Sequence, residues 1–223
     1  GGREAEQMNR APFPAPPESL DAVILSHAHI DHSGRLPMLV QQGFSGRIYT
    51  QRATADLCEI MLRDAAYLQE KDADTENRKR ARKGLPPVPP LYDMRDAEKT
   101  LQQFEPLDYD AIVAVVPGIK LRLRDAGHIL GSAIVELWLS EGGATRKVVF
   151  SGDLGLRDAP ILHDPEVVHE ADAVLLESTY GDRHHRSREE SVQEMGEIFA
   201  RAHADGGNIL IPAFAVGRTQ ELL

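Results

Sequence analysis

Cysteine is nearly absent from this chain. Cys58 stands alone among 223 residues, which excludes an internal disulfide framework and agrees with a reducing cytoplasm. Its place on the apolar face of a predicted helix makes it a buried, inert thiol. No apolar run reaches the roughly 18 residues of a membrane span. The opening Gly-Gly-Arg-Glu-Ala-Glu-Gln-Met-Asn-Arg has no signal-peptide core. Positive charge is short as well: 25 Lys and Arg stand against 35 Asp and Glu, a net charge of −10. That balance argues against coating nucleic acid by bulk charge. It leaves room for an enzyme that binds nucleic acid in a local groove where a bound metal sets the field. Internal repeats and low-complexity tracts are missing too.

What remains is ordinary for a globular protein, with 42% hydrophobic and 27% charged residues. Asp-Ala-Val-Ile-Leu (21–25) and Gly-Arg-Ile-Tyr-Thr (46–50) read as buried strands. From Thr54, Leu57, Ile60, Met61, Ala65 and Leu68 follow helical spacing, and the helix fades into a charged stretch closed by Gly84. A second helix is expected around 94–104. Residues 119–125, 132–140 and 146–153 alternate as an antiparallel meander. Residues 171–179 read as a strand, the stretch after Ser187 as a capped amphipathic helix closed at Gly206 and Gly207, and 208–214 as a last strand. Helices and strands mix throughout, so the class is α/β or α+β with sheets covered by helices.

Three histidines and an aspartate crowd into Ile-Leu-Ser-His-Ala-His-Ile-Asp-His-Ser-Gly (24–34). Packing explains this poorly, because each buried imidazole would need its own partner. Imidazole and carboxylate are ligands for zinc and similar divalent ions. His27 and His29, two apart on an extended segment, can face one metal, while Asp31 and His32 turn toward a second position. Other strands also run into ligand-type residues: 119–125 into His128, 146–150 into Asp153, and 171–176 into Glu177. Strand ends at one sheet edge can converge on one site. His128 can complete a three-histidine site. Asp153 can bridge two ions, which in two-metal hydrolases share an activated water, or it can cap a turn. Ser26 reads equally as a hydrogen-bond donor to the site and as a turn residue.

His-Ala-His-Ile-Asp-His-Ser-Gly-Arg-Leu-Pro, Asp-Ala-Gly-His-Ile-Leu-Gly-Ser-Ala, Ser-Gly-Asp-Leu-Gly, Glu-Ser-Thr-Tyr-Gly-Asp-Arg and Ile-Pro-Ala-Phe-Ala-Val-Gly-Arg-Thr-Gln-Glu-Leu-Leu occur in this order. Together they resemble the β-CASP branch of the metallo-β-lactamase fold, a family of RNA-processing nucleases that includes RNase J and the cleavage-and-polyadenylation endonuclease. The resemblance implies a four-layer αβ/βα sandwich with a helical insertion around 53–105. It implies a partial metallo-β-lactamase domain over 1–206 and the start of a β-CASP domain over 207–223. His27, His29 and His128 would hold one zinc and Asp31 and His32 a second, with Asp153 bridging. Asp31 and Glu177 would be the catalytic carboxylates, Glu177 pairing with a distant histidine to protonate the leaving group; the alternative for Glu177 is a strand-end carboxylate holding nearby backbone. The family also has an aspartate strand before, and two histidines beyond, the matched segment. The chain is therefore expected to be incomplete and inactive alone.

The implied activity is zinc-dependent hydrolysis of RNA phosphodiesters, endonucleolytic or 5′–3′ exonucleolytic, by a cytoplasmic protein that can form a homodimer. Competing readings are a hydrolase of a small ester or thioester and a non-catalytic scaffold subunit. Two RNA contacts are candidates. One is the basic run Arg78, Lys79, Arg80, Arg82 and Lys83, which reads alternatively as a helix end stabilised by its dipole. The other is His185 after Gly-Asp-Arg.

Overall fold

The computed structural model describes residues 8–183 and 186–222. His184 and His185 lie outside them. The chain divides into two compact units, 1–176 and 177–223. No helix among the described residues is long and apolar enough to cross a membrane.

The first unit opens with a 3₁₀ turn at Pro17–Ser19 and continues with β1 (Ala22–Ile24), α1 (Ile30–Ser33), α2 (Leu36–Gln41), β2 (Arg47–Gln51), α3 (Arg52–Ala81) and α4 (Met94–Leu101). β3 (Phe104–Leu107) then closes a parallel sheet in the order β1-β2-β3. The second sheet runs β4 (Val113–Val116), β5 (Ile119–Asp125), β6 (Ala133–Glu141), β7 (Ala144–Phe150) and β8 (Ala173–Leu175) in sequence order. Its first three pairings are antiparallel, and β7 pairs with β8 in parallel.

Strand alternation decides how the sheets meet. In β5, Leu121 and Leu123 are fully buried, while Lys120, Arg122 and Arg124 take the other face. Leu121, Leu123, Ala133 and Val135 form one core with Leu107, and Ile24 and Tyr49 of the first sheet pack against it. The sheets are thus stacked face to face, with helices on the first: α3 lies against β2, β3 and α4. Outside the second sheet, Leu154 and Val168 of a long loop cover Ala126, Ile134 and Val149.

The second expected helix is shorter than its pattern suggested. Asp93 and Asp96 form a reciprocal cap at the start of α4, and the chain leaves the helix after Leu101 to enter β3. Cys58 is fully buried on α3, as its helical position implied.

In the second unit, α5 (Arg188–Asp205) is followed by α6 (Arg218–Leu222). Ser187 and Glu190 make the cap expected of this helix, and Gly206 ends it. Residues 208–214, expected as a strand, pair with nothing and are irregular. A strand exists only through a ladder partner, and no described segment of 177–222 is a strand.

Candidate metal centre

Three strands deliver the centre by one rule. β1 ends at Ile24 and His27 follows three residues later; β5 ends at Asp125 and His128 follows; β7 ends at Phe150 and Asp153 follows. β5 and β7 are both antiparallel to β6 and so point the same way. Their C-terminal ends therefore share an edge, and the stacked first sheet brings the end of β1 to it.

His27, His29, His128 and Asp153 each offer a ligand atom, and those atoms all lie within 4.8 Å of one another. His128 Nε2 is 3.1 Å from His29 Nδ1. Asp153 Oδ2 lies 3.8 Å from His27 Nε2 and 3.7 Å from His128 Nε2. The other carboxylate oxygen, Oδ1, faces His32 Nε2 at 3.4 Å. His32 Nε2 is in turn 3.5 Å from Asp31 Oδ2, on a side chain 76% exposed. The four-ligand group and the Asp31–His32 pair therefore meet at one carboxylate.

The donor chemistry fits a divalent cation. His27 is fully buried, yet its Nε2 has no hydrogen-bond partner. A buried polar atom without a partner is costly, and a metal is the natural acceptor of its lone pair. Residues 3–208 match the family model of the beta-lactamase superfamily domain.

The chain belongs to the beta-lactamase superfamily. It is 40% identical to "Ribonuclease TTHA0252" of Thermus thermophilus over all of this chain and 46% of that protein. It is 36% identical to "Transcription termination factor FttA" of Methanocaldococcus jannaschii over 92% of this chain and 30% of that protein. The chain thus spans less than half the length of these relatives. A solved B3 metallo-beta-lactamase covers 62% of this chain and 43% of its own at 13% identity and a TM-score of 0.38.

In this superfamily member His27 is tuned by its surroundings. Burial, with His32, His128 and His29 crowded around it, pushes the His27 pKa down to about 3. His27 is therefore neutral at pH 7, the form that binds metals. Ser26 Oγ sits 3.1 Å from His27 Nδ1. That contact can fix the ring so that Nε2 faces the centre, as outer hydrogen bonds do for metal histidines. Ser26 is thus a partner of the site, not merely a turn residue. Gly152 has φ +57°, and a Cβ there would stand 2.9 Å from the Ser26 side chain. A side chain at 152 would separate the loop of Asp153 from that of His27.

Sequence reasoning missed two supports. Ser132 is fully buried, and its Oγ accepts from His128 N at 3.0 Å and Ile129 N at 3.2 Å. Thr54, also fully buried, donates to Gly131 O at 2.7 Å. Ser132 stands in the Gly-Ser-Ala that follows His128, and four-residue spacing to the histidine was the only available signal. Of the remaining sequence candidates, His185 lies outside the described residues. Glu177 opens the second unit and accepts from Thr179 N at 3.4 Å. The basic run lies at the C-terminal end of α3.

Proposed function

We propose that this domain is the hydrolytic module of a zinc-dependent ribonuclease that cleaves RNA phosphodiester bonds. The observation that carries the reading is Asp153, whose Oδ2 faces His27 and His128 while its Oδ1 faces His32. The RNA substrate is taken from the printed activity of the Thermus relative, and the motifs from Glu177 to Arg183 and from Ile211 to Leu223 support membership of the β-CASP branch.

His27, His29 and His128 would hold one Zn²⁺, Asp31 and His32 a second, and Asp153 would touch both. Zinc, when bound, supplies Lewis acidity and lowers the pKa of a coordinated water toward neutrality. The rest falls to the chain. Neutral His27 presents its Nε2 lone pair, and the fixed loops keep the donors in place without reorganisation. The Asp31 carboxylate beside His32 can orient that ring or accept a proton at its exposed oxygen. Glu177 is assigned to the leaving-oxygen end of the reaction, paired with a histidine of the complete protein. Residues 1–206 would form the metallo-β-lactamase domain and 207–223 the beginning of a β-CASP domain, in a cytoplasmic protein.

The test is incubation of end-labelled RNA with the complete protein, with and without chelator. Metal-dependent fragments are expected, and their lengths separate endo- from exonuclease action. Hydrolysis of small thioesters with RNA left intact would overturn the reading.

A further inference from the structure

We infer that the far end of α3 is an RNA-backbone contact held at a fixed distance from the metal centre. This rests on the ribonuclease reading for the nature of the ligand. The helix has two halves. Its buried residues, Thr54, Cys58, Leu62 and Ala66, recur every four positions and stop there. From Tyr67 to Ala81 no residue is buried. A segment that is at most half-buried gains less from packing, so its persistence calls for another reason.

The exposed half is nevertheless braced. Asn77 clasps Val88 twice: its Oδ1 accepts from Val88 N at 2.7 Å and its Nδ2 donates to Val88 O at 2.9 Å. Arg80 Nε donates to Pro86 O at 2.6 Å. Glu70 accepts from Met94 N at 3.1 Å. The returning segment thus stiffens the arm up to its tip.

At that tip sit five cations in six positions, Arg78 to Lys83, with no acidic residue between Glu76 and Asp93. Arg78, Lys79, Arg82 and Lys83 are exposed and, among the described residues, enter no ion pair. Asp74 and Glu76, each one turn before a cation, do not pair with them either. Capping the helix does not require them. Lys83 N and Leu85 N both bond Arg80 O, and Gly84 N bonds Ala81 O, so backbone closes the helix end. A helix dipole is satisfied by one or two nearby charges. Four unpaired cations on a chain of net charge −10 are held ready for an outside anion. The tip lacks the aromatic anchors that dominate protein contacts, whereas dense Arg and Lys suit a phosphate backbone.

The other end of the helix sets the distance. Thr54, in its first turn, is bonded to Gly131, three residues after His128. From Thr54 to Arg80 the helix spans about 40 Å. At about 3.4 Å per stacked nucleotide, that is roughly 12 nucleotides. Short RNA would engage the metal centre alone, and longer RNA would reach both.

The experiment compares the complete protein with the R78Q/K79Q/R82Q/K83Q variant, leaving Arg80 in place for its bond to Pro86. Binding to a 24-nucleotide oligoadenylate is measured in EDTA, so that no cleavage is needed. At about 0.7 per contact, the slope of log K against log salt should flatten by about 2–3. An unchanged slope overturns the inference. The charge-conserving R78K/K79R/R82K/K83R variant should keep the parent slope; losing it there too would assign the effect to helix damage and overturn the charge reading. With active protein, KM for the 24-mer should rise about tenfold in the Gln variant, with kcat unchanged and the 8-mer unaffected. An equal rise at both lengths overturns the spacing. Absence of any cleavage would sink the ribonuclease reading, while the EDTA binding comparison would still decide on the tip.

Discussion

The Thr54 hydroxyl donates to the Gly131 carbonyl at 2.7 Å across 77 residues of sequence. It ties the first turn of the longest helix to the loop that carries His128. Gly131 has φ +81°, and a Cβ there would stand 2.5 Å from Thr54 N. The contact therefore admits no side chain at 131. Thr54→Val should cost about 1–3 kcal/mol, because a buried acceptor loses its donor. Gly131→Ala should cost at least as much and weaken zinc binding by several-fold. Thermal melts and a competitive zinc titration measure both. Parent-like values for Gly131→Ala would mean that the loop relaxes freely.

Asp153 stands between His27, His32 and His128 at 3.4–3.8 Å. Asp153→Asn keeps the shape and removes the charge. On the two-zinc reading, zinc content after dialysis should fall to a small fraction of that of the parent, both ions being lost together. Elemental analysis gives the count. Loss of only one ion would show that the carboxylate serves a single site.

Glu136 is 1% exposed on the outer face of the second sheet. Arg122 Nε and Lys147 Nζ each lie 2.5 Å from one of its oxygens. Burial pushes its pKa up, but the bonds from Arg122 and Lys147 outweigh this, so it rests below the usual glutamate value. A carboxylate depressed in the folded state stabilises fully above its unfolded pKa of about 4.3. That contribution disappears as pH falls through the lower folded value. Glu136→Gln should therefore cost about 2 kcal/mol at pH 7, and the gap to the parent should narrow steadily below about pH 4. Urea melts at several pH values test this. A gap constant down to pH 2 would mean that the two cations do not hold the charge.

Burial raises the Cys58 thiol pKa to about 12, against a smaller opposing contact with Ser33. The thiolate is then negligible at pH 8. Iodoacetamide should label native protein at least a hundredfold more slowly than denatured protein, as mass spectrometry can follow. Comparable rates would place Cys58 at the surface.

The cluster of His27, His29, His128 and Asp153 was legible because residue type alone marks it: imidazoles this dense have few packing explanations. The strands before them were legible by alternation, as in Leu121 and Leu123 against Arg122 and Arg124. Other elements hid for physical reasons. β3 contains Pro106, which speaks against a strand, and is tolerated because β3 is an edge of its sheet. Residues 208–214 have strand composition but no ladder partner within their unit. Ser132 and Thr54 escaped notice because small hydroxyl residues are common, and only folding shows which carbonyl or amide each meets.

The centre draws His27 and His29 from the loop after β1 and His32 from α1, and His128 and Asp153 from loops of the second sheet. No stretch of about 100 residues contains the whole set. A cation held there would work as a rivet through two stacked plates. Binding energy spent at the edge would resist the sheets sliding apart, and apparent stability would climb with the logarithm of free metal. The full ligand set would exist only once both plates have met, so a bound metal would favour the assembled sheets over either one alone.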